Sequence, residues 1–220
     1  WLQPMIAGEL QATLAFNEPQ ARYELASVAT TATREGDHWV LNGHKGLVLN
    51  GGTSDLLIIP ARTAGDVGDE HGITLFAVAA DSDGLSCEPY ATVDGLRAAE
   101  IKRDGVRLSG DAVLGNVDEG FAALTATIDD ATLAVCAEAV GIMYALKDKT
   151  VQYSKDRSQF GVPIGSFQVL QHRMVDMLMA CEQAQSLLMW AVMTNAEGGE
   201  ESRHAVSAMK YMIGTAGQKL

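Results

Sequence analysis

The hydrophobic period of the chain changes once, near Asp118, and divides the sequence into a strand-like half and a helix-like half. From Gln11 to about Gly115, the residues Gly, Asp, Asn and Pro separate short runs of β-branched, aromatic and aliphatic residues, such as "DLLIIPA" and "GITLFAVAA". Such runs, with no helix-length periodic segment between them, predict an antiparallel sandwich or barrel. The Asn42-Gly43 pair lies between two of these runs and predicts a hairpin turn there.

The second half is typical of long helices. Residues 119–157 are rich in alanine and contain almost no helix breakers. Ser166 is expected to cap the next helix, and Ser202 a third helix after Gly198-Gly199. The helix predicted over 166–195 has one apolar stripe, formed by Leu170, Met174, Met177, Leu178, Cys181, Ala184, Leu188 and Ala191. It would be roughly 40 Å long, so we expect it to pack against other helices or another subunit.

The predicted fold class is therefore α+β, an antiparallel β-barrel or sandwich domain followed by long antiparallel helices. We place the β domain at residues 12–116 and the helices at residues 117–220. Residues 1–11 are expected to be a linker or the end of a preceding domain. The last helical pattern keeps its spacing to Leu220 without a stop signal, so we expect a fragment of a longer chain.

Composition favours some classes of protein over others. The 28 acidic and 16 basic residues give a net charge of -12 with no basic cluster, which argues against nucleic-acid binding. The three cysteines are far apart and outside any CxxC or Cys/His motif, so we expect free thiols and no metal site. We find no apolar stretch of membrane-span length and no signal-peptide pattern, and therefore predict a soluble cytoplasmic protein without membrane insertion.

The connection between the two long helices carries more side-chain chemistry than a turn requires. In "DRSQFGVPIGSFQVLQHRM", residues 156–174, Gly and Pro suffice to stop one helix and start another. Arg157, Gln159, Phe160 and Gln168 surround this turn in addition. These side chains either satisfy a helix end and a local core, or they serve a binding site.

This stretch resembles the acyl-CoA dehydrogenase family, whose pattern here is R-x-x-F-G-x-x-I-x-x-x-Q. Arg157, Phe160, Gly161, Ile164 and Gln168 match it in register. Further segments are similar to the family's T-E-P strand, its N-G-x-K-x-x-I-T-N-G segment and its junction into the helical domain. They are "FNEP" at 16–19, "LNGHKGLVLNGG" at 41–52 and "AVLGNVDEGF" at 112–121.

The resemblance implies a fold, a cofactor and a set of contacts. In the family, FAD binds between the β domain and the helices, which form a four-helix bundle preceded by an N-terminal helical domain. Arg157 would pair with the FAD diphosphate of a neighbouring subunit, a role that suits a bidentate guanidinium. The other implied contacts to FAD are Gln159, Phe160, Ile164, Phe167 and Gln168 from the turn, and Leu14, Phe16, Asn17, Leu47 and Leu49 from the β domain.

The sequence also departs from the family pattern. Asn17 stands where the family has Thr before Glu-Pro, Leu47 replaces an aromatic residue over the flavin, and Arg22-Tyr23-Glu24 replaces G-S-D. Tyr23, Asp129 and Thr132 are the candidate substrate contacts. Some members place the catalytic Glu where this chain has Ala131, whose methyl group cannot take a proton. The base is therefore expected beyond Leu220 or is absent.

Three functions follow from the resemblance. The first is a flavin-dependent acyl-CoA dehydrogenase subunit of fatty acid or steroid degradation, which passes electrons to an electron-transfer flavoprotein. The second is a non-catalytic partner subunit of a heteromeric dehydrogenase, either purely structural or completing the FAD site. The third is a flavin monooxygenase or oxidase of the same fold. In each case the resemblance implies a homo- or hetero-oligomer, a dimer of dimers built from the helices.

Overall fold

A computed structural model describes residues 1–220, apart from the side chain of Glu200. The chain forms two compact units, residues 1–125 and 126–220. A short helix, α1 (Leu2–Ala7), opens the first unit. The α+β prediction is confirmed, because the first unit is built on a sheet and the second on long helices.

An eight-stranded sheet organises the first unit. Its strands, in chain order, are β1 (Ala12–Leu14), β2 (Thr31–Glu35), β3 (His38–Leu49), β4 (Leu56–Arg62), β5 (Ile73–Ala79), β6 (Leu85–Ala91), β7 (Arg97–Ser109) and β8 (Val113–Leu114). The spatial order is β6-β7-β3-β2-β4-β5-β8, with β1 added beside β4. Most pairs are antiparallel, but β4 pairs in parallel with β1 and at one position with β2, so the sheet is mixed. Its core includes Leu41, Leu57, Ile59, Phe76 and Ile101, all fully buried.

The hairpin prediction at Asn42-Gly43 is wrong, because both residues lie inside β3. The turn between β2 and β3 is formed instead at Gly36, where φ is 63°. Gly43 has another role: it lies at a β-bulge, and a Cβ there would be 2.7 Å from the hydroxyl oxygen of Thr30. The glycine therefore allows a close approach of another segment, a requirement that the local sequence does not reveal.

The second unit consists of long helices. Helix α2 (Gly120–Asp156) begins in the first unit, and α3 (Gln168–Glu197) and α4 (Glu200–Ala216) follow it. The bundle core contains Cys136, Met143, Cys181, Ala184 and Met209, all buried. The predicted stripe of α3 is confirmed for its C-terminal half, whereas Leu178 is 43% exposed.

Both predicted helix caps are wrong. Helix α3 begins after Phe167, and the Ser166 hydroxyl donates to the carbonyl of Pro163 at 2.7 Å. Ser202 lies inside α4, and its hydroxyl donates to the side-chain oxygen of Asn195 at 2.7 Å. Serine hydroxyls find several acceptors near helix ends, so the residue type alone does not fix the first residue of a helix.

The expectation that no segment has the length and hydropathy of a membrane span is wrong for α2. This 37-residue helix contains a window of mean hydropathy 1.3 that is 22% buried within this chain. Core helices of soluble bundles satisfy the same test, so α2 alone does not define a membrane protein.

Candidate functional site

Two exposed surfaces, one in each unit, carry the residues that the resemblance implies for FAD. The surface of the first unit is formed where β1 and the segment after it run beside β3. Phe16, Leu47 and Leu49 are exposed there, and Leu14 and Asn17 are half-buried. The Thr13 hydroxyl donates to the carbonyl of Leu49 at 2.7 Å and ties β1 to β3. We call Phe16, Asn17, Leu47 and Leu49 the β-domain face.

Leu47 has an unusual backbone for its residue type. Its φ is 50°, in the left-handed region, and it lies in a bulge of β3 between Lys45 and Val48. Such conformations cost of order 1–3 kcal/mol in a residue with a side chain and persist only where surrounding contacts hold them. The Leu47 side chain is 50% exposed, so its own burial does not explain the conformation.

A buried ion pair lies behind this face. The Lys45 ammonium is 2.6 Å from the Glu18 carboxylate, and their side chains are 0% and 2% exposed. Glu18 also accepts hydrogen bonds from the backbone N–H groups of Ala29 and Thr30. Burial raises the pKa of Glu18, but Lys45 and these hydrogen bonds outweigh it and lower the pKa to about 2. Burial lowers the pKa of Lys45 to about 8, although Glu18 opposes this.

Arg103 is a second buried cation near this pair. Its Nη2 donates to the Thr30 hydroxyl at 3.3 Å, while Nε and Nη1 have no hydrogen-bond partner among the described residues. Burial lowers the pKa of its guanidinium to about 10, and Glu18 opposes this shift. One carboxylate thus serves two cations, which makes Glu18 the central charge of the cluster.

The surface of the second unit is the turn between α2 and α3. Two short strands, β9 (Ser158–Gln159) and β10 (Val162–Pro163), form a hairpin whose central residues Phe160 and Gly161 both have positive φ. This geometry is normally made by Asn-Gly or Gly-Gly, yet here a phenylalanine adopts φ 56° with 92% of its surface exposed. Strained backbone of this kind is concentrated at functional sites, so the turn is a candidate binding surface.

The rest of the turn is firmly built. The Ile164 N–H donates to the carbonyl of Arg157 at 2.8 Å, and the rings of Phe160 and Phe167 meet edge to face at 6.2 Å. Gly165 packs on α2, since a Cβ there would be 2.9 Å from the Ser154 hydroxyl oxygen. We call Arg157, Gln159, Phe160, Ile164, Phe167 and Gln168 the turn face.

The polar tips of the turn face are free to bind a ligand. Arg157, Gln159 and Gln168 are exposed, and their side chains make no hydrogen bond or ion pair within the part of the chain that the structure describes. A free guanidinium beside an exposed aromatic ring fits a ligand that joins a diphosphate to planar rings. The residues present thus fit FAD.

The candidate substrate contacts are placed differently. Asp129 and Thr132 on α2 share a cavity of about 460 Å³ with α4 residues, among them Lys210 and Tyr211. Burial raises the pKa of the Asp129 carboxyl, with Arg203 opposing and Asp130 reinforcing the shift. Tyr23 is fully exposed in the first unit and follows Arg22, which has φ 52°.

Sequence reasoning missed the residues that support the β-domain face, above all Glu18, Lys45 and Glu100. His44, which lies in a turn-like stretch of sequence, contacts Glu100 at 2.6 Å. A lysine within the strand-like run of residues 38–49 was the available signal, because a charge inside a strand needs a partner when it faces the core. The partner lies 27 residues away, which no local pattern indicates.

Comparisons with known proteins agree with this geometry. The family profile "Acyl-CoA dehydrogenase, middle domain" matches residues 13–106, and "Acyl-CoA dehydrogenase, C-terminal domain" matches residues 118–220. The chain belongs to the acyl-CoA dehydrogenase family, as its motifs predicted. Homologues named acyl-CoA dehydrogenases are oxidoreductases that act on CH-CH groups, and the family is FAD-dependent.

Individual relatives show how far the similarity extends. The probable acyl-CoA dehydrogenase FadE25 of Mycobacterium tuberculosis is 35% identical over 93% of this chain and 53% of its own length. The 3-(aryl)acrylate reductase of Clostridium sporogenes is 33% identical over 96% of this chain and 56% of its own. The structure titled "PigA with FAD and proline" has a TM-score of 0.93 at 26% identity and covers 100% of this chain and 57% of that one. The chain spans about half the length of the curated relatives it matches.

Proposed function

We propose that this chain is the FAD-binding core of an acyl-CoA dehydrogenase that forms an α,β-unsaturated thioester and passes electrons to an electron-transfer flavoprotein. The observation that carries the proposal is the turn face, where Phe160 is held exposed at φ 56° beside a free Arg157. A structural turn needs neither feature. A site for FAD has a use for both, because the ring can pack on the cofactor and the guanidinium can hydrogen-bond its diphosphate.

Bound FAD would supply the acceptor for a hydride from the acyl β-carbon. The residues of this chain would bind and orient it. Arg157 would hydrogen-bond the diphosphate of a neighbouring subunit's FAD, and Phe160 and Gln168 would lie against that same cofactor. The β-domain face would pack on the ring system of the chain's own FAD. We propose that the turn face acts on the FAD of a neighbouring subunit in a dimer of dimers.

The substrate side of the proposal rests on Asp129 and Thr132, which share one cavity. The Thr132 hydroxyl donates to the carbonyl of Ile128 at 2.7 Å, which leaves its oxygen lone pairs as acceptors for a polar group of an acyl-CoA. Ala131 cannot remove the α-proton, and we propose that the base of the full protein lies beyond Leu220 or that this chain has none.

The replacement of the catalytic Glu by Ala131 supports a second candidate, a helper subunit that completes the FAD site of a heteromeric dehydrogenase. Ala131 and the bulky Arg22-Tyr23-Glu24 segment favour it, because both replace residues that active members use. A third candidate is an oxidase or monooxygenase of the same fold, and the likeness to the structure of the prolyl acyl carrier protein oxidase AnaB, with a TM-score of 0.89 at 29% identity, supports it. Oxygen consumption without an acyl-CoA would identify this third candidate.

The test of the cofactor site is the dissociation constant of FAD for Arg157→Met in the full-length protein. Loss of charged hydrogen bonds to a diphosphate removes about 1.5–3 kcal/mol, which weakens FAD binding roughly 10- to 150-fold. Arg173→Met removes an equal charge from an exposed position on α3 and is the matched control. Equal FAD affinity of the two variants would refute the proposed role of Arg157.

A further inference from the structure

Three consecutive residues of β3 are held from three directions beneath the β-domain face. The Lys45 ammonium contacts Glu18 at 2.6 Å, the Gly46 N–H donates to the carbonyl of Asn17 at 3.0 Å, and the Leu47 N–H donates to Oε1 of Glu100 at 3.3 Å. The first two contacts tie β3 to the segment that carries Phe16 and Asn17. The third is a side chain that holds the backbone of the strained residue itself.

Glu100 lies on β7, next to the bulge of β3. Strand pairing resumes at Val48 and Ala99, after the register shift that follows Lys45. The bulge turns the Leu47 N–H away from the strand ladder, so that an amide which would otherwise pair with β7 backbone needs another acceptor. The Glu100 carboxylate provides it.

The carboxylate is itself fixed by further donors. His44 Nε2 contacts Oε2 of Glu100 at 2.6 Å, and the Tyr90 hydroxyl donates to Oε1 at 3.1 Å. Burial raises the pKa of Glu100, but the hydrogen bonds from Leu47, His44 and Tyr90 outweigh it, so the pKa lies below its ordinary value. Glu100 is therefore ionised at neutral pH, the form in which both oxygens accept.

Gly46 leaves room for this arrangement. A Cβ at Gly46 would be 3.1 Å from Oε2 and 3.4 Å from Oε1 of Glu100. The carboxylate thus lies directly over the glycine, between the side chains of His44 and Tyr90 and the amide of Leu47. From this position the carboxylate accepts a hydrogen bond from the backbone of the bulge, while the Leu47 side chain remains exposed.

We propose that Glu100 is a positioning residue for the cofactor surface: its carboxylate fixes the backbone of Leu47 and so sets the shape of the β-domain face. This inference rests on the proposed FAD site and assigns to it a residue outside the motifs. Glu100 does not touch the cofactor and acts only through Leu47. His44 and Tyr90 hold the carboxylate in the orientation that this requires.

The test compares Glu100→Ala, Glu100→Gln and Glu35→Ala in the full-length protein. Glu35 is a matched control, an exposed carboxylate of the same sheet that pairs with Arg107 at 3.1 Å and makes no contact with the bulge. Hydrogen exchange is measured for the peptide that contains Leu47, and the FAD dissociation constant is measured by titration of the apoprotein. Exchange reports on the bulge whether or not FAD binds.

Glu100→Ala should speed exchange at Leu47 by about 10-fold, the effect of losing a hydrogen bond to a charged acceptor, and should weaken FAD binding by a similar factor. Glu100→Gln should restore most of both, because the amide oxygen still accepts from Leu47. Glu35→Ala should change neither.

Unchanged exchange at Leu47 in Glu100→Ala would overturn the proposal, as would faster exchange with unchanged FAD affinity. Failure of the amide variant to rescue either quantity would also contradict it. If the unaltered protein binds no FAD, the proposed function fails, and exchange at Leu47 still decides whether Glu100 holds the bulge.

Discussion

Replacement of Lys45 by methionine tests how much the buried ion pair contributes to the β domain. Methionine keeps most of the packing of the lysine stem, so the change mainly removes the charge. Glu18 would then be a buried carboxylate without its cation, and breaking a buried pair in this way costs about 3–5 kcal/mol. Glu18 retains hydrogen bonds from Ala29 at 2.9 Å and Thr30 at 3.1 Å, so we expect a loss near the lower end, about 3 kcal/mol.

The matched control is Lys102→Met. Lys102 pairs with Glu88 at 3.0 Å, but their side chains are 52% and 64% exposed, and such surface pairs contribute about 0–1 kcal/mol. Urea unfolding is followed by the fluorescence of Trp39, which lies in the β-domain core, with the other tryptophans replaced by phenylalanine. Adding Glu18→Gln to Lys45→Met should recover part of the loss, because a neutral amide needs no counter-ion.

A free energy of unfolding for Lys45→Met within about 1 kcal/mol of that for Lys102→Met would refute this reasoning. It would show that water reaches Glu18, or that Arg103 takes over as its partner. The first outcome would contradict the burial of the pair, and the second would show that the two cations are interchangeable.

The remaining predictions concern acid, the turn and the helix packing. The pKa of Glu18 is about 2 in the folded protein, against an ordinary value of 4.5. Its contribution of about 3 kcal/mol to the free energy of unfolding is therefore complete above pH 4.5 and is lost as pH falls towards 2. Unfolding measured at decreasing pH should show this loss in the unaltered protein and not in Glu18→Gln. Phe160→Gly should leave the free energy of unfolding unchanged or raise it by about 1 kcal/mol, because glycine adopts positive φ without strain. The same change should weaken FAD binding, because it removes the exposed ring. A lower free energy of unfolding together with unchanged FAD affinity would contradict this prediction. Gly165→Ala should lower the free energy of unfolding by about 1–3 kcal/mol, because its Cβ would be 2.9 Å from the Ser154 hydroxyl oxygen. Gly141→Ala, which has open space at its Cβ, should raise the free energy of unfolding by about 0.5–1 kcal/mol. Calorimetry distinguishes these two outcomes.

The sequence predicts the helices well because their signal is local. An alanine-rich stretch without breakers is sufficient for α2, and the observed helix spans Gly120–Asp156 against a predicted 119–157. The position of the turn between α2 and α3 is predicted equally well, because its Gly and Pro residues are also a local signal. Its side chains are recognised as a site only through resemblance, because their use depends on a ligand.

The parts of the β domain that sequence reasoning failed to predict depend on contacts distant in sequence. Asn42-Gly43 has the composition of a hairpin, but Gly43 is a bulge residue that makes room for Thr30. Lys45 pairs with Glu18, which is 27 residues away, and Glu100 is 53 residues from the amide it holds. Fold topology creates these contacts, so single-residue propensities cannot indicate them.

The most direct test of the proposed flavin site is the visible absorption spectrum of the full-length protein. The protein is purified alone and after co-expression with the product of a neighbouring dehydrogenase-like gene. We predict a flavin spectrum in at least one preparation, bleached by addition of an acyl-CoA. Flavin in the lone protein would support a self-sufficient dehydrogenase, and flavin only in the complex would support the helper subunit. Two colourless preparations, neither of which takes up added FAD, would contradict the central claim that the turn face and the β-domain face each bind a flavin cofactor.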